Sequence, residues 1–406
     1  MFSLLGSIIV QFIIIWWLTI ETQSVIILAI SSCLYIIPQV IILPFAGVIA
    51  DKWNRKKIIL IVDSTQTGLT FLMIMLFEVD AVNDLLGIII ILTINTLRGG
   101  CQAFHYPTIN AIIPSMVPKN KLSRINGLTS TFNQLIQILG PALAIFLLPH
   151  FLIKHVLWID ISTFLIALVP LILIKIPSAS KEEEVQKTKF FNEFKQGFQI
   201  IKKMPLVFIM IMLFMFLNFL LQPISVLLPY FISITHGGTV SDYAFIMILF
   251  NIGFFLGGLV MTIKKKWNNK IRTIFLGVAS VILGYFLLSM SPFKSYLYMG
   301  IVFSLIGFNL PITNSLFQTI LQTKVPREKI GRVFSIYVAL SWLISPIGKI
   351  LTGILAEMIT ITSLFLICSI TGFFMTFAFF CITKMHVIRK DQLSIVLTQP
   401  SLKAST

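Results

Sequence analysis

Long apolar runs, interrupted at regular intervals by short polar connectors, dominate the chain. Twelve of them reach the roughly 20 residues that a helix needs to cross a bilayer: 2–20, 25–49, 58–77, 85–111, 125–148, 156–174, 206–231, 243–263, 273–290, 296–320, 331–355 and 362–382. The pattern predicts an all-α membrane protein with twelve transmembrane helices. A long polar stretch separates the sixth run from the seventh, so the spans divide six and six. The expected organisation is an N-terminal six-helix half at 1–175, a cytoplasmic linker at 176–203, a C-terminal six-helix half at 204–385 and a cytoplasmic tail at 386–406.

The two halves echo each other. VPKNKLSR (117–124) returns as VPREKIGR (325–332), KWNRK (52–56) as KWNNK (266–270), and Pro107-x-x-Asn110 as Pro311-x-x-Asn314. The offsets all come to about half the chain, the mark of an internal duplication. An even number of spans per half keeps both in the same orientation, as parallel repeats about an axis along the membrane normal.

Composition agrees: 57% of the chain is hydrophobic and 11% charged, against roughly 45–50% and 25% for a soluble domain. The net charge of +16 raises nucleic acid as a partner until its location is read. Connectors 2–3, 4–5, 6–7, 8–9 and 10–11 and the tail hold 27 of the 31 Lys and Arg residues; the opposite side holds Lys154 and Lys294, and Arg98 and Lys349 lie within spans. This asymmetry places both termini in the cytoplasm by the positive-inside rule. It accounts for the charge by membrane topology and speaks against nucleic acid as a partner. The first run lacks the basic leader and small-residue cleavage site of a signal peptide. Met1 stands at its edge, which leaves open whether the helix begins upstream.

In the linker, KEEE (181–184) is a solvated charge run. Phe190, Phe194, Phe198 and Ile201 share one helical face, suited to the inner leaflet or to the ends of the bundle. The four cysteines fall singly in apolar runs, without metal-ligand or disulfide spacing. No phosphate-binding loop and no catalytic constellation stands out, so the chain reads as neither an ATPase nor any other enzyme, with no cofactor and no metal. Charges within spans are costly. Asp63 in span 3 and Asp160 in span 6 are candidates for picking up a proton, although both lie near helix N-termini, where a carboxylate is favoured anyway. Lys349, in the outer part of span 11, has no assigned task beyond snorkelling. His105 reads as a structural histidine. Phe214, Met215, Phe216, Asn218 and Phe219 in span 7 suit an adaptable apolar pocket but read first as core.

Between spans 2 and 3 stands GVIADKWNRKK (47–57), which resembles the loop signature of the major facilitator superfamily, G-x-x-x-D-[RK]-x-[GN]-[RK]-[RK]. Gly47 permits close helix approach, and Asp51 can meet Arg55 or a helix N-terminus. The resemblance implies a conformational latch at Gly47, Asp51, Lys52, Arg55 and Lys56; Lys265 stands where the second copy would carry the acid, so the latch is one-sided. Arg98-Gly-Gly-x-x-Ala103-Phe104-His105-x-Pro107, VPKNKL, Asn126-Gly127 and Gly140-Pro141-Ala142 resemble the macrolide-efflux branch of drug:proton antiporters, as does GRVFS (331–335) with Pro346 and Gly348. By that resemblance Arg98 is a proton-relay candidate. Gly140 and Pro141 match the core of the antiporters' span 5 helix-packing signature, without its further glycines.

The resemblance implies export of amphipathic drugs, macrolides among them, by proton-coupled alternating access. The chain would act as a monomer on a small molecule and protons, with an ABC-type partner as an open possibility. A siderophore or metabolite exporter and a non-transporting partner or sensor are the alternatives. A proton gradient suffices: about 2.3 kcal/mol per charge at 100 mV with about 1.4 per pH unit sustains a concentration ratio of several hundred at about 1.4 kcal/mol per decade.

Overall fold

The computed structural model describes residues 2–82, 84–118, 122–174, 198–199, 201–202, 204–264, 267–325 and 330–398. Among these, every element is a helix. The first half comprises α1 (Phe2–Thr22), α2 (Val25–Lys52), α3 (Arg55–Glu78), α4 (Leu85–Met116), α5 (Leu122–Leu147) and α6 (Ile153–Leu173). The second comprises α7 (Pro205–Leu220), α8 (Gln222–Tyr230), α9 (Val240–Ile263), α10 (Lys270–Ser289), α11 (Tyr296–Lys324), α12 (Ile330–Met358) and α13 (Ile361–Thr398). Eleven segments are long and apolar enough to span a bilayer; α5 is the twelfth crossing, with a shorter apolar stretch at Leu135–Leu147. Most of the linker, including Phe190 and Phe194, and positions 119–121 and 326–329 of the loop echoes lie outside the described residues.

Short polar side chains start several helices by satisfying free backbone N–H groups. Ser24 accepts from the Ile27 amide ahead of α2, and Asn54 from those of Lys56 and Lys57 ahead of α3. Thr239 and Asp242 form a reciprocal capping box on α9. The seventh run departs from one continuous helix. It breaks at Leu221 (φ −80°, ψ −10°), one residue before α8, which carries Pro223 in its first turn and Pro229 further on, and it closes in a π turn at Phe231–Thr235. Proline removes a backbone donor and clashes with the preceding turn, which accounts for the interruption. The last helix also departs: α13 runs on to Thr398, through much of the stretch expected as tail.

Packing repeats across the halves. In the first, α1 packs on α5 and α6, α2 on α4, and α3 on α4 and α6; in the second, α7 packs on α12 and α13, α9 on α11, and α10 on α11 and α13. Even the close approaches recur. A Cβ on Gly99 would lie 2.1 Å from the Tyr35 carbonyl of α2, and one on Gly307 2.3 Å from the Phe250 carbonyl of α9. Gly99 and Gly307 are 208 positions apart, the offset of the VPKNKLSR echo. The halves meet where α2 lies against α12, α5 against α9, and α1 and α2 against α8.

Candidate functional site

Six polar side chains converge midway along the contact between the halves. Gln39 of α2, Asn218 of α7, Gln222 of α8, and Tyr337, Ser341 and Ser345 of α12 line a cavity of about 340 Å³, with Ile36 beside them. Its geometry follows from helical periodicity: Asn218 and Gln222, and likewise Tyr337, Ser341 and Ser345, are spaced four apart and so share a face. Ser345 donates to Gln222 Oε1 at 3.2 Å, while Gln222 Nε2 donates to the Asn218 carbonyl at 2.9 Å across the break between α7 and α8. Proline frees carbonyls in that break, and side chains take up the freed groups.

Beyond one end of this cavity, α2, α8 and α12 pack closely. A Cβ on Gly353 would stand 2.6 Å from Ala29 Cβ, and one on Gly348 2.6 Å from Gln222 Cγ. Cys33, buried, donates its thiol to the Pro346 carbonyl at 3.7 Å, and Lys349 Nζ reaches the Ser32 carbonyl at 3.5 Å. Lys349 therefore points into the seam between α2 and α12 rather than snorkelling to an interface. On the same side, Tyr243 of α9 stacks on Phe12 (5.3 Å) and Trp16 (5.8 Å) of α1. All these contacts lie toward the end of the bundle that carries the α1–α2 turn.

A second polar cluster is sealed inside the first half. Arg98 of α4 donates to the Gln66 carbonyl (3.1 Å), to the Thr70 hydroxyl and to Asp160 Oδ2 (3.3 Å). Thr70 donates to the same carboxylate oxygen at 2.5 Å. Arg98 and Asp160 side chains are 3% and 5% exposed, so each charge depends on the other. Ser7 Oγ donates to Gln66 Oε1 (3.2 Å) and Gln66 Nε2 to Gln102 Oε1 (3.4 Å), extending the cluster to α1. The structure thus joins Arg98 to Asp160, while Asp63 stands apart opposite His105, Oδ1 to Nε2 3.6 Å.

The loop signature is only partly described. Lys56 Nζ donates to the carbonyls of Ile172 (2.6 Å) and Ile174 (3.1 Å), so it caps the C-terminal end of α6, where a cation is favoured. Arg55 is half-buried at the start of α3. The surroundings of Gly47, the side chains of Asp51 and Lys52, and Lys265 lie outside what the structure describes. Gly140 is buried against α1, where a Cβ would meet Ile8 Cγ2 at 2.5 Å, and Pro141 follows it inside α5. Sequence reading missed Gln39, Gln222, Tyr337, Ser341 and Ser345 as a set. The four-residue spacing Tyr337, Ser341, Ser345, Lys349 was the available signal.

A profile described as Major Facilitator Superfamily matches residues 1–349. The chain belongs to this superfamily. Its repeated six-helix halves are the superfamily's fold, and it is a multi-pass membrane protein of a transporter family. Among curated relatives, macrolide efflux protein A of Streptococcus pyogenes is 25% identical over 369 residues, covering 90% of this chain and 89% of its own. The staphyloferrin A transporter of Staphylococcus aureus is 24% identical over 396 residues, covering 96% and 95%. Among solved structures, a mutant of the nucleoside transporter NupG superposes with a TM-score of 0.73 at 16% identity, covering 94% of this chain and 97% of that one. A D-xylose-proton symporter gives 0.69 at 14%, covering 92% and 95%.

Proposed function

We propose that this facilitator is a secondary active exporter of amphipathic small molecules that works by proton-coupled alternating access in the bacterial plasma membrane, with both termini cytoplasmic. The observation that carries the reading is the polar cavity at the junction of the halves, reached by α2, α7, α8 and α12 and closed toward one end. With cytoplasmic termini the closed end faces outward, which supports a state sealed from the exterior. The halves at 1–175 and 204–385 are then the two rocking bodies, the linker at 176–203 joins them, and the chain acts as a monomer. Asp51, with Gly47, Lys52, Arg55 and Lys56, is the proposed latch. Arg98, Asp63 and Asp160 are the proposed proton-coupling residues; a charge pair deep inside a bundle is costly enough to mark a function.

Macrolides are the first substrates to test, because relatives in Streptococcus pyogenes and Enterococcus faecalis carry that name. Export of a siderophore or metabolite is the second reading, favoured by the hydrogen-bonding lining of the cavity and by the staphyloferrin A transporter. The test is accumulation of a radiolabelled 14-membered macrolide in cells expressing the chain, with and without a protonophore. Low accumulation restored by the protonophore supports gradient-driven macrolide export. Unchanged accumulation, with the protein present in the membrane, removes macrolides from the reading.

A further inference from the structure

Lys349 is the unexplained charge of the molecule. It lies one turn beyond Ser345 on α12, and its acceptor Ser32 lies one turn before Ile36 on α2. Ser345 and Ile36 both line the cavity, so Lys349 and Ser32 lie one helical turn beyond its lining on the two facing helices, above its closed end. An ammonium carries three donors, and the bond described for this one is the long contact to the Ser32 carbonyl. Among the described residues it has no ion pair with a carboxylate, unlike Arg98 with Asp160 or Lys154 with Glu78. Its surroundings offer none: α2 contributes Ser32 and Cys33, α8 contributes Gln222 behind Gly348, and the cavity below is lined by amides, hydroxyls and apolar groups. A cation held within a span, between two helices and without a counter-charge, calls for an anionic partner, and one turn away lies a cavity of about 340 Å³.

We propose that the transported molecule carries an acidic group, a carboxylate or its equivalent, that pairs with Lys349 at the closed end of the cavity while its hydroxyl or amide groups bond to the lining below. The proposal rests on the cavity being the substrate site and narrows its substrate: acids are recognised and cationic amines, basic macrolides among them, are disfavoured, which favours the siderophore or metabolite reading. An acid supplies the counter-charge that the protein withholds, and a charge-assisted bond is stronger than a neutral one. Bound between α2 and α12, the acid also touches both halves, so the same contact that selects it acts where the halves must part.

The test uses the full chain in lipid nanodiscs, with citrate and its uncharged triethyl ester as probes in a calorimetric titration. Citrate is expected to bind at least about tenfold more tightly than the ester, and Lys349→Met to weaken citrate by about tenfold or more, while Lys349→Arg stays within a few-fold of wild type. Equal affinity for acid and ester, unchanged citrate binding in Lys349→Met, or no citrate binding at millimolar concentration would each overturn the proposal. Gln222→Leu separates it from the reading beneath. If this variant weakens both probes while Lys349→Met changes neither, the cavity stands and the acid selectivity falls; if it changes neither probe, the cavity itself is not the site and both readings fall.

Discussion

At the scale of residues, Arg98 and Asp160 are bound by the cost of separating them. Asp160→Asn leaves the guanidinium buried without its counter-charge and is expected to lower stability by about 3–5 kcal/mol, seen as loss of protein from the membrane. Arg98→Met with Asp160→Leu removes both charges and is expected to restore abundance. If the pair couples protons as proposed, that double variant transports at least about tenfold less; full transport would make the pair a scaffold only. His236 gives a residue-scale prediction outside the spans. It follows the π turn, is 5% exposed, and burial lowers its imidazole below the usual 6.5. The unfolded chain therefore takes up that proton more readily than the folded one. The His236 contribution is complete above pH 6.5 and is lost as pH falls through and below that value. Thermal melts from pH 7.5 to 5 check this: His236→Gln should melt with a shallower acid dependence.

At the scale of elements, glycine sets how closely helices approach. A Cβ on Gly253 would lie 2.1 Å from the Ser304 carbonyl, and one on Gly257 2.0 Å from that of Phe308, whereas one on Gly258 meets nothing within 4 Å. Gly253→Leu should drive α9 from α11 and abolish membrane abundance, while Gly258→Leu should be tolerated; quantitative blotting of the two variants decides. Helices themselves were legible, because apolar runs and polar caps are local. The predicted start at 25 coincides with α2, and α3 begins at Arg55 rather than 58 because Asn54 caps it. The break at Leu221 was hidden by a run whose apolar content continues through it, although Pro223 and Pro229 marked the place. Arg98 was legible as a buried charge, yet its partner lies 62 residues away, with no local pattern to name it. The contact above the cavity joins residues 317 apart, and only the folded halves bring Lys349 to Ser32.

At the scale of the whole molecule, the proposed alternating access requires the α2–α12 seam to open and close. Cys33 sits in that seam, 3% exposed. In this conformation a thiol reagent is excluded from it; under conditions that drive turnover, maleimide labelling of Cys33 should rise severalfold. A Gly353→Leu variant, wedging the seam where a Cβ would already meet Ala29 at 2.6 Å, should label rapidly without turnover and fail to transport. Labelling that never exceeds the resting level would show that the halves part elsewhere.

The buried pair in the first half also constrains how the chain enters its membrane. Synthesis delivers Arg98 62 residues before Asp160, an interval on the order of 3–12 s at roughly 5–20 residues per second. Through that interval α4 carries a guanidinium whose insertion alone costs roughly 2.5–3.5 kcal/mol. The helix is therefore expected to stay at the insertion machinery until α6 emerges; crosslinking of stalled chains to that machinery checks this, and release of α4 before residue 160 is made would show insertion one span at a time. Lys349 of the second half differs: the group it meets, the Ser32 carbonyl, belongs to a helix made long before it.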